Sequence, residues 1–596
     1  MSENSTAIRG GEFLIRPTAA ADIFIPEVWT EEQLMMKQMT LDFVEQRILP
    51  KLEEIDNQEE GLVPSLMREA GELGLLGSSV PEEYGGMGLD FKTTMLITEA
   101  IGGAHAFSVS FSAHTGIGTL PILYYGNEEQ KKKWVPGLAS GELKGCYCLT
   151  EPSAGSDANS GKTKARLSED GKHYIINGQK MWITNGGFAD VMIVFAKIDD
   201  DEKLTAFIVD GHAEGITKNP EEKKMGIKGS STRQIFFNDV HVQVENLLYE
   251  REQGFKIAVN ILNIGRIKLG GAVLGAAKDA CSHSTRYANE REQFGRPISK
   301  YGAIRYKLAE SAIRLYTCES AIYRATQNID DAIAALKAGG MDHGEATLKG
   351  IADFAPECAM MKVLGSEVLD YCVDEAVQIH GGMGYSAESR AELAYRDARI
   401  NRIFEGTNEI NRMLTVDMIL KKAMKGEMDL MTPAMAVANE LTGVPDMTAS
   451  SSDPFERQLA YVANLKKAIL LVAGGAVQKL MMSLAKEQEI LMNIADMAIW
   501  TYTIESTVLR VQKLAQQKGG TDDLAVQLAI MNAYTYEASE WIHSAGKEAL
   551  LSFAEGDELK MMLMGMKRFC KTEDINPKEA RQLIAMDLIE KNGYTL

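Results

Sequence analysis

The sequence predicts an α+β chain that is mainly helical, with an N-terminal helical domain, a middle β-domain, a four-helix bundle and a further helical extension. Three observations predict it. Apolar residues recur at three- and four-residue spacing to about residue 133, take up strand-like alternation near Gly145 for about a hundred residues, and return to the helical period from Gly254. With 596 residues, 45% of them apolar, several cores can be filled. The expected domains are 1–144, 145–250 and 251–425, then a linker at 426–454 and the extension at 455–596.

Residues 31–49 and 62–76 read as the first helices, followed by the turn-rich Pro81-Glu-Glu-Tyr-Gly-Gly-Met-Gly-Leu89. A second helical pair runs through 94–100 and the small-residue stretch 108–118, whose composition permits close packing. Strands are expected at 173–177, 191–195, 205–209 and 234–237. They are bounded by Asp170-Gly171, Asn177-Gly178, Asn185-Gly186 and Asn238-Asp239, residues that tolerate the positive φ of hairpin turns. The bundle helices are expected at 255–290, 301–328, 343–378 and 407–422, with Gly265, Gly270, Gly271 and Gly275 allowing close helix contact. Thr448-Ala-Ser-Ser-Ser-Asp-Pro454 is the clearest part of the linker, and 459–484, 488–516, 522–554 and 577–591 read as helices of the extension.

A net charge of -20 repels nucleic acid phosphates and anionic membranes over most of the surface. Seven scattered cysteines, with no signal peptide at Met1-Ser2-Glu3, read as free thiols in a reducing cytoplasm. Cys146-Tyr-Cys148 reads as alternate positions of a strand, not as half of a zinc site. The apolar run 468–477 is too short to span a bilayer, so the chain is expected to be soluble or at most peripheral. The Met-rich residues 424–435 read as a disordered loop in preference to a membrane contact.

No GxGxxG follows a strand, and Walker A, HExxH, EF-hand and GxSxG patterns are missing, which disfavours a Rossmann cofactor or a metal enzyme. Five other stretches carry chemistry. In Arg402-Ile-Phe-Glu-Gly-Thr-Asn-Glu-Ile410, burial of Glu405 after two apolar residues would raise its pKa to suit a catalytic base. Gly406 lets the backbone approach a ligand, and Thr407 can cap the helix that follows; a buried structural acid explains the stretch as well. Tyr147-Cys-Leu-Thr-Glu-Pro-Ser-Ala-Gly-Ser-Asp157 offers hydroxyls and backbone N–H groups, though an ordinary loop has the same composition. In Lys180-Met-Trp-Ile-Thr-Asn-Gly-Gly187, Trp182 and Thr184 fall on one side of a strand, suited to a flat ligand or to a core. Arg291-Glu-Gln-Phe-Gly-Arg-Pro297 supplies a cation and an aromatic for a pyrophosphate and a ring. The glycines of Gln378-Ile-His-Gly-Gly-Met-Gly-Tyr385 fit a phosphate or a helix C-cap.

Taken together and in this order over residues 30–425, the five stretches resemble the acyl-CoA dehydrogenase family. The resemblance implies that family's fold, with FAD held between the three domains. It implies that Glu405 removes the α-proton of an acyl-CoA thioester while the β-hydrogen leaves as hydride, and that the Glu405 N–H helps hold the thioester oxygen. Tyr147, Leu149, Thr150, Gly155, Ser156, Trp182, Ile183 and Thr184 would line the flavin. Arg291, Phe294, Gln378, Gly381 and Gly382 would reach the adenosine diphosphate part of a neighbouring subunit's FAD, implying at least a dimer. Thr407 and Glu409 also lie at FAD-contacting positions, Glu409 replacing the family's glutamine or aspartate. Ser156, Asn263, Arg266 and Gly406 match substrate-contacting positions, and Val109 and Ala113 align with the closed end of the acyl pocket.

Some relatives carry the base just before the arginine matched by Arg266; Gly265 stands there, leaving Glu405 without a rival. The extension and the wording of 254–266 resemble the very-long-chain branch, whose members are dimers. The small Val109 and Ala113 favour a long acyl chain, with electron-transfer flavoprotein as the implied acceptor. Two alternatives stay open: an acyl-CoA oxidase using oxygen, and a respiratory-complex assembly scaffold with residual dehydrogenase activity.

Overall fold

A computed structural model describes residues 8–442 and 451–596. The first helices are α1 (Glu31–Phe43), α2 (Leu52–Asp56), α3 (Leu62–Glu72), α4 (Phe91–Ile101), α5 (Ala106–Ser112), α6 (Leu120–Tyr125) and α7 (Glu128–Ser140). Thr30, Asp90 and Asn127 cap α1, α4 and α7 by accepting the N3 amide, the box being completed by Gln33 and Gln130. Past α5 the backbone widens into a π-helix at Ala113–Gly118. His114 in this widened turn ties it to the β-domain, its Nδ1 accepting the Gly145 N–H at 3.0 Å and its Nε2 donating to Leu138 O at 2.9 Å.

Eight strands follow: β1 (Gly145–Cys148), β2 (Lys164–Leu167), β3 (His173–Thr184), β4 (Val191–Ile198), β5 (Thr205–Asp210), β6 (Ile216–Lys218), β7 (Thr232–Gln243) and β8 (Leu247–Leu248). The sheet order is β6-β7-β3-β2-β4-β5-β8, with β1 pairing parallel to β4. The expectation of half-buried strands fails at the sheet's centre, where β4 and β5 are buried on both faces. Val191, Ile193 and Phe195 face the main helical core, while Met192, Val194 and Ala196 face the β-domain's own core. Cys146 and Cys148, alternate residues of β1, face that second core as free thiols.

The bundle comprises α8 (Gly254–Glu290), α9 (Gly302–Ala338), α10 (His343–Asp353), α11 (Ala355–His380), α12 (Arg390–Ala398) and α13 (Asn408–Met424). The single helix expected at 343–378 is two, broken at Phe354 ahead of Pro356 in the first turn of α11. Between α8 and α9 a small hairpin pairs β9 (Glu292–Gln293) with β10 (Arg296–Pro297). Phe294 and Gly295 at its tip have φ of 53° and 80°, the signature of a two-residue turn matched to strand twist.

The extension contains α14 (Met431–Thr442), α15 (Pro454–Leu480), α16 (Gln488–Lys518), α17 (Ala525–Phe553), α18 (Gly556–Phe569) and α19 (Pro577–Lys591). Two expectations need correction. The linker at 426–454 and the loop at 424–435 give way to α14, because Met428 and Val437 bury their side chains in the main core; of Thr448-Ala-Ser-Ser-Ser-Asp-Pro454, the first three residues lie outside the described residues and Pro454 already starts α15. α18 is an addition to the helices that the sequence predicts, its apolar side being made of Met562, Met566 and Phe569. α8 and residues 454–486 are long and apolar enough to cross a membrane by length and composition, with 67% and 39% of their apolar windows buried in the fold. Buried ion pairs tie the extension to the bundle, Arg324 to Glu505 and Arg510 to Glu319, each at 2.9 Å, and Lys466 joins Glu505 at 2.5 Å from within the extension.

Candidate active site

Glu405 lies in the turn before α13, with a φ of 59° that a non-glycine residue adopts only under constraint. The constraint is a set of donors on the turn's carbonyls. Asn411 Nδ2 is shared among the carbonyls of Glu405 (3.4 Å), Gly406 (2.8 Å) and Thr407 (3.0 Å). Arg266 Nε reaches the Glu405 carbonyl at 3.3 Å, and Lys362 Nζ the Gly406 carbonyl at 2.8 Å. Thr407 caps α13 as expected, accepting the Ile410 amide at 3.3 Å.

Its carboxylate Oε2 is shielded from solvent and has no hydrogen-bond partner among the described residues. Burial pushes the Glu405 pKa up to about 7, against the opposing pull of the Arg266 and Lys362 charges. Of the two preceding apolar residues, Ile403 is 49% exposed and Phe404 is half-buried against the main core. α8 also closes on the carboxylate, where a Cβ on Gly265 would sit 2.8 Å from Glu405 Oε2.

Beside the turn, Tyr147 of β1 is buried with an unpaired hydroxyl, and Glu405's charge raises its pKa further beyond the effect of burial. Leu149 is buried and Thr150 half-buried, while Gly155 and Ser156 are exposed on the loop that follows. A buried pair fixes that loop: Lys180 Nζ donates to Glu151 Oε1 at 2.7 Å and to Leu149 O at 3.2 Å. Glu151 also accepts the amides of Lys162 (2.5 Å) and Thr163 (3.1 Å). In β3 a register shift between Lys180 and Ile183 puts Trp182 at φ 59° and 52% exposed. Ile183 is buried between Trp182 and a half-buried Thr184, so those two share the open side.

A second group of residues gathers at the far end of α8. Tyr287 OH donates to His380 O at 3.3 Å, which brings the hairpin after α8 next to Gly381 and Gly382 after α11. Gln378, Gly381, Gly382 and Arg291 are exposed, and Phe294 is 94% exposed. A Cβ at Gly381 or Gly382 would meet nothing within 4 Å, so the backbone there is open to a ligand. Gly265 and Arg291 are separated by about 39 Å along α8 at 1.5 Å per residue. One chain therefore presents the two groups far apart along one helix.

Family descriptions match in the order of the fold: "Acyl-CoA dehydrogenase, N-terminal domain" at residues 30–142, the "middle domain" at 146–240, and two "C-terminal domain" descriptions at 252–420 and 464–568. A probable acyl-CoA dehydrogenase of Bacillus subtilis (strain 168) is 45% identical over 589 residues, 99% of this chain and 98% of that protein. The chain belongs to the acyl-CoA dehydrogenase family. A crystal structure of an acyl-CoA dehydrogenase complexed with FAD from Bacillus anthracis aligns with a TM-score of 0.96 at 45% identity, covering 99% of this chain and 100% of that one. The very long-chain specific acyl-CoA dehydrogenase, mitochondrial, of Macaca fascicularis is 35% identical over 503 residues, 80% of this chain and 71% of that protein.

Acyl-CoA dehydrogenases are FAD-dependent oxidoreductases, and the residues present fit that cofactor. An orphaned Tyr147 hydroxyl, a Glu405 Oε2 without a partner among the described residues and the exposed face of Trp182 are groups that a flavin could satisfy or cover. The open glycines and Phe294 suit a pyrophosphate and a ring. Glu409 is exposed in the first turn of α13. Asn263 and Arg266 are 3% and 6% exposed, Arg266 Nη1 donating to Asn263 Oδ1 at 2.9 Å, so they sit beneath the Glu405 turn. Val109 of α5 is half-buried and Ala113 buried at the start of the π-helix.

The sequence reading missed Lys362, Asn411, Glu151 and Lys180. Lys362 had a signal: a lone cation in the apolar run Ala359-Met-Met-Lys-Val-Leu364 of a core helix. Asn411, with its partners in the preceding turn, had none.

Proposed function

We propose that this chain catalyses the FAD-dependent α,β-dehydrogenation of acyl-CoA thioesters to trans-2-enoyl-CoA in fatty acid β-oxidation. The observation that carries it is Glu405, a shielded, unbonded carboxylate whose pKa near 7 suits a base at neutral pH. Glu405 takes the α-proton onto its carboxylate, and its constrained backbone N–H steadies the enolate-like thioester oxygen. Tyr147, Leu149, Thr150, Gly155, Ser156, Trp182, Ile183, Thr184, Thr407 and Glu409 would hold FAD. Bound FAD supplies the acceptor for the β-hydride. Asn411, Arg266 and Lys362 keep the turn from relaxing as charge moves.

Long acyl chains are the proposed substrates, supported by Val109 and Ala113 and by the likeness to the very long-chain relative. Electron-transfer flavoprotein is the proposed acceptor, and the cytoplasm the proposed location. The hairpin and the glycines after α11, far along α8 from Glu405, would serve the FAD of a second copy in a homodimer.

The test is anaerobic titration of the purified flavoprotein with short-, medium- and long-chain acyl-CoAs, reading flavin absorbance. Long-chain substrates should bleach it, and Glu405→Gln should keep yellow FAD yet resist bleaching. Full bleaching of Glu405→Gln would sink the assignment. Hydrogen peroxide formed in air at the rate of turnover would replace electron-transfer flavoprotein with oxygen.

A further inference from the structure

A chain of contacts runs from the extension to the catalytic turn. Asp496 of α16 accepts from Arg412 Nε of α13 at 2.7 Å. Arg412 grips Glu367 of α11 with both terminal nitrogens, Nη1 to Oε1 at 2.8 Å and Nη2 to Oε2 at 3.0 Å. Glu367 Oε1 accepts from Asn408 Nδ2 at 3.1 Å, and Asn408 Oδ1 accepts from Lys362 Nζ at 2.7 Å. The other bond of Lys362 goes to the carbonyl of Gly406, the residue after the base.

Lys362 is the unusual member. It is fully buried, and both its bonds go to neutral oxygens, with no carboxylate among the described residues in contact. Keeping an ammonium there is costly, and a neutral side chain of the same length would fill the space at less cost. The favourable partner for its charge is Glu405, whose ionised form it stabilises together with Arg266. Its orientation is set by Asn408, which Ser366 and Glu367 hold in turn.

We propose that Lys362 is a positioning residue for Glu405, and that α16 of the extension anchors it through Asp496, Arg412, Glu367 and Asn408. The extension then takes part in setting the rate of proton abstraction. This rests on the reading of Glu405 as the base.

The groups facing Glu405 are Arg266 from α8, Lys362 from α11 and Tyr147 from β1; those facing Asp496 are Arg412 and Glu367. Loss of the Lys362 charge therefore moves the midpoint of the pH profile for flavin bleaching upward. The experiment is anaerobic stopped-flow bleaching of the full-length flavoprotein by saturating acyl-CoA, in the parent, Lys362→Met, Asp496→Asn and the double variant. Asp496→Asn should slow the limiting rate about fivefold, with FAD content and half-saturating acyl-CoA unchanged, as for one weakened charge-assisted hydrogen bond. Lys362→Met should slow it about 10- to 100-fold and raise the pH midpoint. The double variant should be no slower than Lys362→Met, since the influence of Asp496 passes through Lys362. Parental rates in Asp496→Asn, multiplied losses in the double variant, or an unmoved midpoint in Lys362→Met would each overturn the proposal. Should Lys362→Met fail to fold, Asp496→Asn and Glu367→Gln, at less buried positions, decide it. A parent that acyl-CoA does not bleach overturns the dehydrogenase reading as well, whereas a bleached parent with unaffected variants overturns the anchor alone.

Discussion

The base proposed at Glu405 would owe its reactivity to what is withheld from it. Its Oε2 has no donor, and the nearest potential intruder is the missing side chain of Gly265. A methyl there would lie 2.8 Å from that oxygen and displace the carboxylate, not the helix backbone. Gly265→Ala is therefore expected to leave the melting temperature within a few degrees of the parent. It should slow flavin bleaching by about 100-fold, the loss associated with roughly 1 Å of misplacement. Circular dichroism and stopped-flow absorbance on the same preparation check both halves; an alanine variant with parental rates would show that the carboxylate has another place to go. The sequence announced the acid and the glycine, since each stands in a recognisable stretch. It did not announce that α8, about 140 positions earlier, would close on the carboxylate at Gly265.

At the scale of elements, the period of the apolar residues located most helices, and two of the misreadings share one cause. Periodicity reports that a face is buried without saying against what. β4 and β5 have two buried faces because a helical core and a sheet core meet on them, and α14 is held by Met428 and Val437, too few apolar residues to set a clear period. A similar long-range contact governs the start of α11. Glu357 Oε1 accepts the Gly11 amide at 2.7 Å, from a segment 346 positions away, while its Oε2 is buried without a partner. Burial raises the Glu357 pKa to about 7. With the folded pKa above the unfolded value, the fold favours the protonated acid. Stability from this group is complete below the unfolded pKa near 4.5 and is lost as pH rises through about 7. Glu357→Gln keeps the acceptor for Gly11 and removes the titration. Thermal melts of the parent should fall from pH 5 to pH 8 by an amount on the order of 1–3 kcal/mol more than those of the variant. Parallel pH dependences would contradict this.

For the whole molecule, the order of five stretches made the architecture legible, whereas assembly of the site depended on distances that no stretch contains. Two positions along α8 illustrate this. Gly265 packs on Glu405, and the hairpin that begins about 39 Å farther along carries Phe294 into solvent in a left-handed conformation that a bulky residue adopts only when the turn demands it. An aromatic ring 94% exposed, beside Arg291 and the open Gly381 and Gly382, is a poor surface for a lone chain and a good one for a flat ligand held by another. If the proposed homodimer forms around shared cofactors, removing the ring weakens cofactor retention without touching the chemistry around Glu405. Phe294→Ala is then expected to sediment as a dimer when saturated with FAD. It should lose FAD on gel filtration about tenfold more readily than the parent, an effect of the size of one aromatic contact. Added FAD should restore parental bleaching rates, because Glu405, Arg266 and Lys362 are undisturbed. FAD retained as firmly as in the parent would remove the hairpin from the cofactor site, and a rate that added FAD cannot restore would place Phe294 in the chemistry after all.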